Sequence, residues 1–267
     1  MPQPTDARQL VKGFGRGIGG ALLFAMPLLM TMEVWRLGLA VDRYRVAALT
    51  VGTVLLVIGL ARNLGGSGRS GWRASLVDAG VAFLAAALAA AVILTTLDVL
   101  DWLRDWRDAV SILLLAMLPA AVGASYARAQ LGEGSAFPSK SGYGHELSLM
   151  VAGAVVFAAN VAPTEEIVLL AATMTPWHTL VLVALSLALM HAFVYGVGFG
   201  GEEEYEGPVQ SFATFTIVGY ALALCVAAYL LWTLGRFEDI GLLMVVTESV
   251  VLALPASLGA AAARLIL

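Results

Sequence analysis

Five acidic residues of this 267-residue chain fall inside long apolar stretches: Glu33, Asp78, Glu165, Glu166 and Glu248. A charge at the centre of a bilayer costs about 2.5–3.5 kcal/mol on insertion scales, so an acid placed there needs a partner or a purpose. Thr31 precedes Glu33 by two residues, Thr164 precedes Glu166 by two, and Thr247 directly precedes Glu248. The densest run is Asn160-Val-Ala-Pro163-Thr164-Glu165-Glu166. Pro163 cannot donate to the carbonyl of Ala159, which leaves a free backbone oxygen beside Asn160. Thr164 lies at i+4 from Asn160 and Glu166 at i+3 from Pro163, so these groups approach one helix face. All of these donor atoms are oxygens, the ligand type that hard cations want. Two adjacent carboxyls repel, which favours protonation of one of them and suits proton coupling. The expected ion-binding set is Glu33, Asn160, Thr164, Glu165, Glu166 and Glu248. Thr31, Pro163, Thr247 and His191 support it, and Glu33, Glu166 and Glu248 are its expected direct metal ligands.

Plainer roles compete for the same side chains. A proline in a membrane helix is often a packing kink, and a threonine can bond back to its own helix; this bears on Pro27, Pro119, Pro255 and Thr31. Asp78 is expected to pair at the interface with Arg73. A lone histidine such as His191, with Tyr195 at i+4, is more often hydrogen-bonded structure than a ligand, although it can relay protons. The acidic loop at 201–207 reads as a solvated charge run, a salt-bridging element, or a concentrator of cations at a pore mouth.

The elements that position these acids are apolar helices. Sixty per cent of residues are hydrophobic, 13% are charged and mean hydropathy is +0.88, where soluble domains carry about 25% charged residues. Eight stretches reach bilayer-spanning length, at about 14–38, 44–62, 74–98, 109–129, 147–173, 177–199, 209–234 and 240–265. Backbone groups in lipid must satisfy one another, and the short alternating strands of a barrel are missing, so the fold class is an all-α polytopic membrane protein. The single cysteine, Cys225, excludes an intrachain disulfide and a cysteine-based metal site. No nucleophile elbow, zinc-binding H-E-x-x-H or phosphate-binding loop is present, so the chain is not expected to be an enzyme. No cofactor is expected, and nucleic-acid binding has no support. The expected partners are the lipid bilayer and an inorganic cation, with a homo-oligomer left open.

The chain also resembles itself. LPAAVGASYARAQL at 118–131 and LPASLGAAAARLIL at 254–267 share eight of fourteen residues at an offset of 136. GALLFAMPLLMTMEV at 20–34 and GAVVFAANVAPTEEI at 153–167 share six of fifteen at an offset of 133. A tandem duplication follows: a first four-helix repeat at 1–131, a linker at 132–145 and a second repeat at 146–267. An even number of spans per repeat implies parallel repeats about an axis along the membrane normal. At 1.5 Å per residue, Glu33, Glu166 and Glu248 then fall roughly 9–12 Å below one membrane face. The basic residues near helix ends divide nine against six, which favours cytoplasmic termini in a bacterial inner membrane.

The eight-span duplicated layout, with T-M-E-V near Glu33 and N-V-A-P-T-E-E near Glu166, resembles a family of bacterial integral membrane proteins of unknown function. That resemblance covers nearly the whole chain and implies membrane location without implying an activity. The A-P-T-E-E segment is similar in local chemistry to the acidic, proline-bearing repeats of calcium/cation antiporters, whose repeats are inverted rather than parallel. The expected function is therefore transport of a cation, Ca²⁺, Na⁺ or one coupled to H⁺, through a carboxylate site at the repeat interface. The alternative is a non-transporting sensor or assembly module whose buried acids clamp helices. A membrane enzyme acting on lipid ranks last.

Overall fold

The computed structural model describes residues 7–64, 71–100, 102, 105–130, 142–196 and 212–266. The acidic loop at 201–207 and residues 132–141 of the expected linker lie outside them. Among the described residues the regular structure is helical, with no strand. Among the described residues seven helices are long and apolar enough to cross a membrane, and an eighth span is completed when one sharply bent pair is counted together. The chain divides into two compact units, Met1–Lys140 and Ser141–Leu267.

The first unit holds α1 (Ala7–Leu29), α2 (Met32–Ala40), α3 (Arg43–Leu64), α4 (Trp72–Thr96) and α5 (Trp106–Gln130). The stretch expected as one span at 14–38 is thus two helices, bent by 82° at Met30 and Thr31. Pro27 lies inside the last turn of α1 and lacks the N–H that would continue the ladder. The carbonyls left free there are taken up locally. The Thr31 hydroxyl donates to Leu28 O at 2.7 Å, and the Trp35 indole N–H donates to Leu29 O at 3.1 Å. Helix α5 packs against all four other helices of the unit. Its span is 72% buried, against 39% for α3 and 33% for α4, so α5 is the core.

The second unit holds α6 (Tyr143–Val161), α7 (Glu166–Thr173) and α8 (Pro176–Gly196). A π-helical turn at Phe212–Ile217 then leads into α9 (Val218–Thr233), followed by α10 (Leu242–Ile266). The stretch expected at 147–173 is again two helices, interrupted at 162–165. Here α10 packs against α6, α7, α8 and α9. Each unit thus has a broken first helix and a last helix that touches all the others.

Both cores depend on one close crossing. On α1 and α5, Gly20 and Gly123 lie so near that a Cβ on either would strike the other's carbonyl oxygen. On α6 and α10, Gly153 and Gly259 make the same contact. Hydrocarbon solvates an apolar side chain as well as a neighbouring helix does, so close van der Waals approach of small residues carries such packing. The long helices α4 and α9 also end alike. Asp98 (φ 60°) and Gly235 (φ 77°) take the left-handed conformation, and the next N–H, of Val99 and of Arg236, reaches back to Leu94 O and Leu231 O, each at 2.9 Å. This is the Schellman pattern. Overpacking a tight contact costs about 1–3 kcal/mol. Gly123→Val and Gly259→Val should each lower the free energy of unfolding in detergent by that much, seen as a lower melting temperature, or prevent monodisperse elution. An unchanged melt for either would remove the crossing as the organising contact of its unit.

Candidate functional site

The acids sit where the broken helices restart. Thr31 is the N-cap of α2, with Glu33 in its first turn. Glu165 occupies the N-cap position of α7, with Glu166 as its first residue. A threonine or acid before an apolar run is a helix-start signal, and a carboxylate in a first turn is stabilised by the unsatisfied N–H groups there. Glu166 is exposed and Glu33 half-exposed. Each can thus be satisfied as a first-turn acid, without an ion.

Asn160 and Thr164 bond within their own segment. The Asn160 amide donates to Val156 O at 2.7 Å, and the Thr164 hydroxyl donates to Val161 O at 2.8 Å. The backbone oxygen that is captured from outside the break belongs to Pro163, not to Ala159. A guanidinium N–H of Arg236 donates to it in a short hydrogen bond.

Arg236 is the residue that sequence reasoning missed. It follows Gly235 in the turn between α9 and α10, and 71 residues separate it from Glu165, whose Oε1 accepts from its Nη1 at 3.1 Å. The arginine side chain is 13% exposed and the Glu165 carboxylate 66%, so a largely buried cation reaches outward to an exposed acid. The available signal was its isolation: it is the one basic residue between the last two apolar stretches, each of which adjoins or holds polar chemistry. Counted only as a topology charge, it could not be matched to a partner so distant in sequence.

Glu248 is the buried acid. It is 1% exposed on α10, and its Oε2 has no hydrogen-bond partner among the described residues. The Nε of Arg236 is likewise buried and without one. Arg236 supplies the positive charge that acts on Glu248 through space. Around this acid the hydroxyls are spent on backbone: Thr247 donates to Leu243 O at 2.9 Å and Ser249 to Val245 O at 2.7 Å. Thr179 of α8 lies 3.5 Å from the Thr247 hydroxyl.

Glu33 belongs to the first unit, and Glu166 and Glu248 to the second. Among the described residues no three His, Cys, Asp or Glu side chains gather as a metal ion would require. The expected metal-ligand set of Glu33, Glu166 and Glu248 thus draws on both units, and each acid is described within its own. His191 is hydrogen-bonded structure: its Nδ1 lies 3.0 Å from the Thr216 hydroxyl, and its ring meets Phe212 edge-on at 5.1 Å. Asp78 pairs with Arg128 of α5 at 3.0 Å rather than with Arg73. Helix packing within the unit, not nearness in sequence, chose that partner.

The polar group of the second unit has an apolar counterpart in the first. At the offset of 133, Met32 stands where Glu165 stands, and at 136 Ile112 stands for Glu248. The matching Schellman turns set Val99 against Arg236. Exposed ion pairs contribute about 0–1 kcal/mol, whereas a stranded buried polar group costs about 1–3 kcal/mol. Glu165→Gln should therefore leave the melting temperature nearly unchanged. Arg236→Met should lower the free energy of unfolding by the larger amount, because it strands the Pro163 carbonyl and removes the positive charge that acts on Glu248. Equal effects of the two changes in detergent unfolding would contradict this assignment.

No curated protein and no solved structure matches the chain. A family model matches residues 13–267, nearly the whole chain; its description is "Putative integral membrane protein (DUF2391)".

Proposed function

This chain belongs to that family of integral membrane proteins, and on that premise we propose that it is a transporter of cations coupled to protons, with Glu248 as the proton-carrying group. The observation that carries the reading is a 1% exposed carboxyl on a helix of span length, with one oxygen left without a partner. Buried acids that serve only structure have their oxygens hydrogen-bonded, since an open one is expensive in a low dielectric. An acid that must take up and release a proton instead needs an oxygen that stays available. Arg236 speaks against a bound metal ion at this position, because its positive charge opposes a second cation. Glu33, Glu165, Glu166, Asn160 and Thr164 then act as parts of the helix breaks rather than as ion ligands.

The test is flux in proteoliposomes holding a pH dye, under imposed Na⁺, K⁺ or Ca²⁺ gradients. Wild type should move protons against one of these cations. A group that transfers protons contributes about a hundredfold or more, and Glu248→Gln should cost that much. Glu166→Gln should retain most of the flux. A well-folded Glu248→Gln protein with undiminished flux would sink the proposal.

A second reading, an assembly or sensor module, is favoured by one specific observation. Glu33 and Glu166 occupy helix starts and Glu165 is engaged by Arg236, so three of the acids have structural roles. That reading predicts no flux in wild type and a purely thermal effect of Glu248→Gln.

A further inference from the structure

We infer that Arg236 is an exchangeable counter-ion, seated on Glu165 and the Pro163 carbonyl when Glu248 is protonated and drawn toward Glu248 when that acid ionises. This deepens the proton-carrying reading of Glu248 and rests on it. Arg236 ties two junctions together, because it lies in the α9–α10 turn and bonds the α6–α7 break through Glu165 and Pro163. Its Nε–H is buried and without a partner among the described residues, as is the Glu248 Oε2. Each of these two atoms is a buried polar group left open, the charge of Arg236 acts on Glu248, and a donor and an acceptor of opposite charge in that state gain by closing on one another. Closing it would draw the guanidinium off an acid that is 66% exposed, where water can solvate the carboxylate left behind. The exchange thus gives up an ion pair with an exposed partner, worth little, for one with a buried partner, where an unpaired charge is costly.

The consequence falls on the α6–α7 break. With Arg236 seated as in this structure, the carbonyl of Pro163 is satisfied and α7 is held to the α9–α10 turn. With Arg236 withdrawn, that carbonyl is free and the break loosens. Among the described side chains, the other titratable groups on the elements packed against α10 are Tyr143, His145 and Glu146 on α6, Glu166 on α7, His178 and His191 on α8, and Cys225, Tyr220 and Tyr229 on α9; Glu238 and Asp239 lie in the turn itself. The charge that acts on Glu248 is that of Arg236.

The test uses the full chain with Cys225→Ser and Thr164→Cys, labelled by a membrane-impermeant maleimide. Thiol reactivity itself rises with pH, so each rate is divided by the rate of the same background carrying Glu248→Gln. The ratio should be close to one in acid and rise by more than about threefold in alkali, as the break opens with ionisation. Adding Glu165→Gln to the Glu248-bearing background should flatten that rise, because the seat that competes for Arg236 is weakened. A ratio near one at every pH, in proteins that elute as single species, overturns the exchange; so does a rise that Glu165→Gln leaves intact. Loss of flux in Glu248→Gln with a flat ratio keeps transport and rejects the exchange. A pH-dependent ratio without flux in wild type keeps the exchange and rejects transport.

Discussion

A helix that breaks among apolar neighbours exposes carbonyl oxygens that neither lipid nor alkyl side chains can satisfy. This chain breaks its first helix in each unit, and each break needs donors. In the first unit they are neutral: the Thr31 hydroxyl and the Trp35 indole close the end of α1. In the second unit Val168 stands where Trp35 stands at the same offset, and the donor to Pro163 is a guanidinium from another helix turn. A cation in that place needs anions in turn, and Glu165 and Glu248 answer from opposite sides of the exposure scale. The polar chemistry of the second unit follows from how its break is closed.

The contrast between the units carries the functional argument further than either unit alone. Both pair their helices in the same pattern and both cross at a glycine pair. At three matched positions, however, one unit has Met32, Val99 and Ile112 and the other has Glu165, Arg236 and Glu248. The apolar version shows that the helix arrangement itself requires none of these charges.

The spans were legible because hydropathy over a bilayer's length is a strong signal. The breaks were half legible. Pro27, Pro163, Thr31 and Thr164 announced irregular backbone, yet the same residues announce ion coordination and helix restart alike, and only geometry separates the two. Thr164 and Asn160 bond back to their own turns, and Glu166 opens α7 in the exposed position of a first-turn acid. What the sequence could not carry was pairing at long range. Arg236 finds Glu165 across 71 residues and Arg128 finds Asp78 across 50, contacts set by which helix faces meet.

The two glycine crossings have a mechanical meaning. Backbones in direct contact can neither slide nor roll without collision, so α1 with α5, and α6 with α10, behave as welded struts. Compliance is left to the lighter members, and α8 is the extreme case, with only 17% of its span buried. Most of what α8 leans on must therefore come from outside the unit's own helices, so its stiffness is set by whatever surrounds it.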